Sequence, residues 1–177
     1  LEGRTLGILG FGRIGREVAV RARAFGMTVV VADPLATESL VREWEARLVD
    51  LDTLLETADI VSLHLPLTDD TRHLIGAEAL SRMKPHAVLV NCARGGLVDE
   101  AALAKALDAG TISGAAIDVF EREPETESPL FHHPKALCTP HLGASTEEAQ
   151  RTVAAQICEQ VREFLLRGEV QHAVNMP

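Results

Sequence analysis

Three short segments of the sequence contain the residue types that an alcohol-oxidising site needs. Their candidate residues are Arg94, Glu123 and His141. A histidine can take the hydroxyl proton of a 2-hydroxy acid while a carboxylate orients its imidazole ring. An arginine can hold the substrate carboxylate with two parallel hydrogen bonds. Taken singly, each residue also has a simpler interpretation, as a surface arginine, a solvated glutamate and a packing histidine.

A glycine-rich turn, Gly10-Phe11-Gly12-Arg13-Ile14-Gly15, follows an apolar run and precedes a helical segment. In a dinucleotide-binding turn, the first glycine permits a tight bend and the second lets the backbone approach a pyrophosphate. The third lets the helix pack closely on the strand. The helix N-terminus supplies unpaired N–H groups to the phosphates, and Arg13 would lie over them.

Asp33 closes a second apolar run eighteen residues after Gly15. An acidic residue at this distance accepts hydrogen bonds from the adenosine ribose hydroxyls and repels a 2′-phosphate. We therefore predict NAD rather than NADP as the cofactor. The alternative is a Rossmann-like domain that no longer binds a cofactor.

Apolar runs and helical periodicities alternate along the chain. Strands are predicted at residues 5–9, 28–32, 47–49, 60–64, 87–91, 114–118 and 136–139. Helices are predicted at 13–25, 38–45, from the Asp50 cap to 57, 77–81, 100–109, and from a capping box at 145–148 to 167. This alternation predicts an α/β fold with a doubly wound, mostly parallel sheet. Ligands of such sheets bind beyond the carboxyl ends of the strands. The residues at those ends are Gly10, Asp33, His64, Asn91, Asp118 and Thr139.

The bulk properties fit one folded domain over residues 1–177. Hydrophobic residues make up 46% of the chain and the formal net charge is −9, which argues against nucleic acid or an anionic membrane as partner. No apolar run approaches the ~18 residues of a membrane span. Three cysteines without a Cys-x-x-Cys pair favour reduced thiols and a cytoplasmic location. The histidines lack a metal-ligand pattern, so no metal site is predicted.

At these motifs the sequence resembles the D-isomer-specific 2-hydroxyacid dehydrogenases over nearly its whole length. The likeness is strongest in Asn-Cys-Ala-Arg-Gly-Gly-Leu-Val-Asp-Glu at 91–100 and Pro-His-Leu-Gly-Ala-Ser-Thr at 140–146. It implies a Rossmann-type NAD-binding domain whose catalytic arginine, glutamate and histidine are Arg94, Glu123 and His141. The glutamate that precedes the proline is Glu123, and Glu121 does not match.

The resemblance also implies which residues contact the cofactor. The pyrophosphate would contact Arg13 and Ile14, and the adenosine half would lie near Leu65 and Pro66. The nicotinamide half would face Cys92, Ala93, Arg94, Asp118 and the stretch from His141 through Gly143 to Ala144. With the motif residues, the cofactor-binding set is Gly10, Gly12, Arg13, Ile14, Gly15, Asp33, Leu65, Pro66, Cys92, Ala93, Arg94, Asp118, His141, Gly143 and Ala144.

The resemblance implies a small-molecule substrate, and 3-phosphoglycerate, oxidised on the route to L-serine, fits best. Reduction of hydroxypyruvate, glyoxylate or another 2-oxo acid is an alternative. An NAD-sensing, corepressor-like interaction module is an alternative of another class. Pairing of cofactor domains in the family implies a homodimer.

Members of this family also carry a second, substrate-binding lobe, formed by segments before and after the cofactor domain. The chain starts with Leu1 rather than Met, and we expect it to be part of a longer protein that supplies this lobe. On this interpretation the 177 residues fold and bind NAD but turn over little or no substrate.

Overall fold

The computed structural model of the protein describes residues 1–143, 145–171 and 173. The chain divides into two compact units, Leu1–Pro140 and a second unit that begins at His141, and each is described by itself. Within the described residues, every strand lies in the first unit.

A seven-stranded sheet forms the centre of the first unit. Its strands are β1 (Thr5–Leu9), β2 (Thr28–Ala32), β3 (Arg47–Leu48), β4 (Ile60–Leu63), β5 (Val88–Asn91), β6 (Gly114–Ile117) and β7 (Ala136–Cys138). Their order is β3-β2-β1-β4-β5-β6-β7, and every neighbouring pair is parallel. The predicted strands are confirmed, with ends that shift by at most one residue.

Helices cover both faces of this sheet. They are α1 (Arg13–Ala24), α2 (Glu38–Glu43), α3 (Leu51–Thr57), α4 (Ala77–Arg82) and α5 (Glu100–Ala109). One apolar cluster joins α1 and α2 to Ile8 and Val31 of the sheet. The other joins α3, α4 and α5 to Leu9 and Val30. Successive strand residues point to opposite faces, so the continuous apolar strands feed both clusters and the doubly wound fold is confirmed.

Small residues form the buried face of α1. Ile14 is 69% exposed and Phe25 is 63% exposed, whereas Gly15, Ala19 and Ala22 are buried. Small residues let the helix axis approach the sheet closely, and this close packing turns the larger side chains outward. Ile14 is therefore exposed in the first turn of α1, where a ligand can contact it, and is not part of the core.

The second unit contains α6 (Glu147–Arg167), which the sequence also predicted. Its N-cap is Thr146, whose side chain accepts a hydrogen bond from Ala149 N–H at 3.1 Å. The predicted start at Ser145 is wrong by one residue, because the Ser145 hydroxyl instead donates to the carbonyl of His141 at 3.3 Å. Several large apolar residues of α6 are exposed, including Leu165 at 73% and Leu166 at 74%.

Among the residues that the structure describes, no helix combines the length and apolar character needed to cross a membrane.

A cluster of charged residues surrounds Asp59 at the amino-terminal edge of the sheet. Its carboxylate accepts hydrogen bonds from Thr5 N–H at 2.7 Å, Lys84 Nζ at 3.0 Å and His86 Nε2 at 2.8 Å. The side chain is only 12% exposed. Burial raises the pKa of Asp59, but the hydrogen bonds from Thr5, His86 and Lys84 outweigh burial and lower that pKa well below its ordinary value. Asp59 thus joins β1 to the start of β5 through an ionised carboxylate.

We expect Asp59→Asn to lower the free energy of unfolding near neutral pH by about 1–3 kcal/mol, the cost of disrupting hydrogen bonds to a charged group. The folded-state pKa lies below the ordinary 3.8, so the stabilisation is present above that pH and is lost below it. The difference between wild type and variant should therefore be smaller at about pH 3 than at about pH 5. Urea unfolding at the two pH values measures it, and an unchanged difference would contradict this account.

Candidate active site

The predicted site residues of the first unit lie at the carboxyl edge of the sheet. Gly10 follows β1, Asp33 follows β2, His64 follows β4, and Asp118 follows β6. Asn91 is the last residue of β5. Since the strands are parallel and in register, their carboxyl ends meet at one edge, as predicted.

The glycine-rich turn has the geometry expected of a phosphate-binding loop. Gly10 has φ +93°, and a Cβ there would lie 2.6 Å from the carbonyl oxygen of His64. A Cβ on Gly15 would lie 2.3 Å from the carbonyl oxygen of Gly10. At Gly12 a Cβ would meet no atom within 4 Å. The first and third glycines are thus required by the protein itself, whereas the space beside Gly12 is open for a ligand.

The N-terminus of α1 lacks the usual capping groups. No side chain caps it at Gly12, and its first turn contains no acidic residue. The unpaired N–H groups and the helix dipole favour an anion at this position. Arg13 and Ile14 are both exposed in this turn. A dinucleotide pyrophosphate fits this combination of open space, donors and positive charge.

Asp33 is fixed by the glycine-rich turn. Its carboxylate accepts hydrogen bonds from Phe11 N–H at 2.6 Å and from Leu35 N–H at 2.8 Å. Phe11 is itself buried and held by Arg16, whose Nε donates to the Phe11 carbonyl at 3.1 Å. Each carboxylate oxygen can accept more than one hydrogen bond, so ribose hydroxyls can still bind. Sequence reasoning did not identify this contact of Arg16 with the turn.

A cavity of about 740 Å³ lies beside Asp33 at the ends of β1, β2 and β3. Its walls are mainly apolar and include Leu9, Ala32, Leu48, Leu51, Leu65 and Leu74. The cavity therefore suits a flat, apolar group such as an adenine ring, with Asp33 at its rim. Leu65 lines this cavity and Pro66 does not, and the proximity of both to the adenosine half stays a prediction. Sequence reasoning missed the contribution of β3 to this cavity. The position of Leu48 at the end of this short strand was a usable signal.

Hydrogen bonds of the buried Asn91 side chain hold the turn that carries Arg94. The Asn91 amide accepts from Ala93 N–H at 3.1 Å and donates to the carbonyl of Arg94 at 3.0 Å. Asn91 is 1% exposed, while Arg94 is exposed and donates from Nη1 to the carbonyl of Ala93 at 2.6 Å. The guanidinium keeps further N–H donors for a carboxylate. Asn91 was recognised only as a strand end, but an asparagine that hydrogen-bonds two residues ahead is a known turn signal.

The loop that carries Glu123 lies directly against the Arg94 turn. A Cβ on Gly95 would lie 1.7 Å from the carbonyl oxygen of Phe120, so the two backbones touch. Glu123 turns back within its loop and accepts from Phe120 N–H at 3.1 Å. The structure thus brings the Arg94 and Glu123 segments together through one glycine.

Asp118, Cys92 and Ala93 follow β5 and β6 beside these two segments. Asp118 is 7% exposed and accepts a hydrogen bond from the Thr139 hydroxyl at 2.5 Å. Desolvation and the nearby Asp118 carboxylate raise the pKa of the Cys92 thiol, which keeps it protonated near neutral pH. Cys92 therefore offers a neutral surface to a ligand rather than a reactive thiolate.

His141 and Gly143 belong to the second unit. His141 has φ +52° and begins a turn in which Ser145 N–H donates to the carbonyl of Leu142 at 2.8 Å. Gly143 is exposed. Ala144, another predicted cofactor contact, lies outside the described residues. The grouping of His141 with Arg94 and Glu123 stays a prediction.

The fold and the glycine-rich site together define a Rossmann-type dinucleotide-binding domain. Residues 1–143 match the family described as D-isomer specific 2-hydroxyacid dehydrogenase, NAD binding domain, and the chain belongs to this family. NAD is accordingly the cofactor of this domain, and the family's enzymes are oxidoreductases.

Two curated relatives are similar over the whole chain. The chain is 50% identical over 177 residues to a D-3-phosphoglycerate dehydrogenase of Bacillus subtilis (strain 168). It is 48% identical over 179 residues to one of Methanocaldococcus jannaschii. It covers 34% of the length of each, so it spans about a third of these relatives.

Solved structures of the family share the fold. A glyoxylate reductase from Paecilomyes thermophila matches with a TM-score of 0.88 and 42% identity, over 98% of this chain and 53% of that one. A D-lactate dehydrogenase with NAD+ from Lactobacillus jensenii matches with a TM-score of 0.87 and 32% identity, over 98% and 56%.

Proposed function

We propose that this chain is the NAD-binding part of a D-3-phosphoglycerate dehydrogenase, which oxidises 3-phosphoglycerate to 3-phosphohydroxypyruvate in L-serine biosynthesis. The observation that carries the proposal is the 50% identity over all 177 residues to a relative with this name. The adjoining Arg94 and Glu123 segments supply a geometry that suits oxidation of a 2-hydroxy acid.

In the proposed reaction, His141 takes the proton of the substrate hydroxyl. Bound NAD would supply the acceptor for the hydrogen on the same carbon, which would leave as a hydride and convert the substrate to the 2-oxo acid. Glu123 orients the imidazole and favours its protonated form. Arg94 holds the substrate carboxylate. The open space at Gly12, the N-terminus of α1 and Asp33 would hold the pyrophosphate and the adenosine ribose.

We also propose that the substrate-binding lobe comes from sequence outside these residues, because the chain spans only a third of its curated relatives. The exposed apolar residues of α6 suit a helix that packs against further protein. On this proposal the 177 residues alone bind NAD with little turnover, and the full-length protein acts in the cytoplasm as a homodimer.

Substrate profiling of the full-length protein tests the activity. We expect NAD-dependent oxidation of 3-phosphoglycerate to have a much larger kcat/KM than oxidation of glycolate or D-lactate. Glyoxylate reduction is the second candidate, since a glyoxylate reductase is 42% identical to this chain. A larger kcat/KM for glyoxylate than for 3-phosphohydroxypyruvate would replace the first proposal with the second.

Replacement of Asp33 tests the proposed cofactor preference. Asp33→Ala removes the hydrogen bonds to the ribose and the repulsion of a 2′-phosphate. We expect the Kd of NADH to rise about tenfold or more, because a hydrogen bond to a charged group contributes about 1.5–3 kcal/mol. The NADH/NADPH affinity ratio should fall as well. Fluorescence titration with both cofactors measures this. An unchanged ratio would show that Asp33 does not select NAD, and Asp52→Ala, an exposed acid on α3, is the control.

A further inference from the structure

The loop between β6 and β7 carries Glu123 but has no helix or strand of its own. Apolar contacts fix part of it: the rings of Phe120 and Phe131 lie 5.2 Å apart, and Leu130 is fully buried. Glu123 itself is exposed, and its hydrogen bond to Phe120 N–H lies within the loop. Polar contacts that join this loop to the rest of the first unit help to determine where the Glu123 segment lies.

Glu100 makes two of these contacts from the first turn of α5. Its Oε1 accepts a hydrogen bond from Glu121 N–H at 2.9 Å. Its Oε2 accepts one from the Ser128 hydroxyl at 2.5 Å. Ser128 is 6% exposed, and Glu121 and Ser128 lie on either side of Glu123 in the chain. One carboxylate thus holds both flanks of the segment that carries Glu123.

His73 also contacts the same loop, from another direction. His73 Nε2 lies 2.7 Å from Oε1 of Glu121, but both side chains are about 40% exposed. Contacts between solvent-exposed groups contribute little, because water and salt screen them. The bond of Glu100 to Glu121 N–H is exposed as well, but its second bond, to the buried Ser128 hydroxyl, is better protected. This difference in solvent exposure predicts that Glu100, rather than His73, controls the position of the loop.

We propose that Glu100 is a positioning residue that sets the place of Glu123 relative to the Arg94 turn. Glu100 lies six residues after Arg94 and begins the helix that follows the Arg94 turn. The helix start is fixed in turn, since Asp99 caps it by accepting from Ala102 N–H at 2.9 Å. Glu100 therefore ties the Glu123 loop to the segment that carries Arg94. This inference rests on the proposed catalytic role of Glu123.

The test compares variants of the full-length protein. Glu100→Ala removes both hydrogen bonds, whereas Glu100→Gln keeps an oxygen that can accept from Glu121 N–H. His73→Asn is the matched control, because it removes the exposed contact to the same loop residue, and asparagine tolerates the φ of +51° at this position. Three quantities are measured: amide hydrogen exchange in the peptide 119–131, the Kd of NADH, and kcat for 3-phosphoglycerate.

We expect Glu100→Ala to raise exchange in peptide 119–131 and to lower kcat about 5- to 50-fold, as displacement of a catalytic group does. The Kd of NADH should stay within about twofold, since Asp33 and the glycine-rich turn are distant in the fold. Glu100→Gln should recover most of kcat, and His73→Asn should behave like wild type. A purely structural role would instead weaken NADH binding together with kcat and would show no recovery in Glu100→Gln.

Unchanged exchange or unchanged kcat in Glu100→Ala would overturn the inference. Failure of the proposed function is a separate result, detected with Glu123→Gln in the same assay. Full turnover by Glu123→Gln would refute the role of Glu123 and with it the catalytic importance of Glu100. Amide exchange would still report whether Glu100 holds the loop, because it requires no turnover.

Discussion

The His141→Asn variant of the full-length protein is expected to oxidise 3-phosphoglycerate about 10²- to 10⁴-fold more slowly than wild type, the usual contribution of a general base. Asparagine can hydrogen-bond to the substrate hydroxyl but cannot take its proton at physiological pH. It also tolerates the φ of +52° at this position, so the turn should keep its shape. The Kd of NADH should change by no more than about threefold, because the phosphate and ribose contacts are elsewhere.

Steady-state kinetics and NADH fluorescence titration separate these two effects. His141→Gly provides a second measure, since glycine also accepts a positive φ and leaves room for a small base. Added imidazole should restore part of the turnover of His141→Gly and none of that of His141→Asn. Turnover near the wild-type rate in either variant without imidazole would show that another group takes the proton.

The second large effect is expected from Gly95→Ala. The new Cβ would lie 1.7 Å from the carbonyl oxygen of Phe120, a backbone atom that cannot move alone. Either the Arg94 turn or the Glu123 loop must shift, and a displacement of about 1 Å at a catalytic group can cost about 10²-fold in rate. Overpacking of this kind also lowers the free energy of unfolding by about 1–3 kcal/mol.

Gly76→Ala is the matched control for this variant. Its Cβ would approach the carbonyl oxygen of His73 at 3.3 Å, a tight but tolerable contact. Urea unfolding, kcat and the Kd of NADH are measured for both variants. We expect Gly95→Ala to lose far more kcat than NADH affinity, because Asp33 and the glycine-rich turn are unaffected. Equal kcat values for Gly95→Ala and Gly76→Ala would show that the contact with Phe120 does not position the site.

The substitutions at Gly95 and Glu100 test features that no local pattern revealed. Gly95 reads in sequence as one of two glycines in a turn, and Glu100 as an acid in the first turn of a helix. Their partners, Phe120 and Ser128, lie more than twenty residues away in the chain. Contacts of this kind depend on which loops the parallel sheet brings side by side, and periodicity carries no information about them.

The elements themselves were predictable because they depend on local chemistry. Each apolar run forms a strand. Asp50 caps α3 through its carboxylate, and Gly110 ends α5 in the left-handed backbone conformation that glycine adopts easily. The exceptions have local causes too. Thr146 replaces Ser145 as the cap of α6, because two adjacent hydroxyl residues compete for one position. Small residues, rather than the larger Ile14 and Phe25, form the buried face of α1.

By itself, the sequence determined the dinucleotide-binding fold, since the glycine spacing and the acid after β2 depend only on backbone sterics and charge. Similarity in sequence also identified the family, and with it the proposed roles of Arg94, Glu123 and His141. Three contacts were decided by the tertiary structure alone. Phe11 N–H donates a hydrogen bond to Asp33, and the Asn91 side chain hydrogen-bonds to the Arg94 turn. Gly95 allows that turn to pack directly against the backbone of Phe120. Sheet order and packing density bring these residues together. Local sequence patterns do not contain that information, so the contacts are visible only in the folded chain.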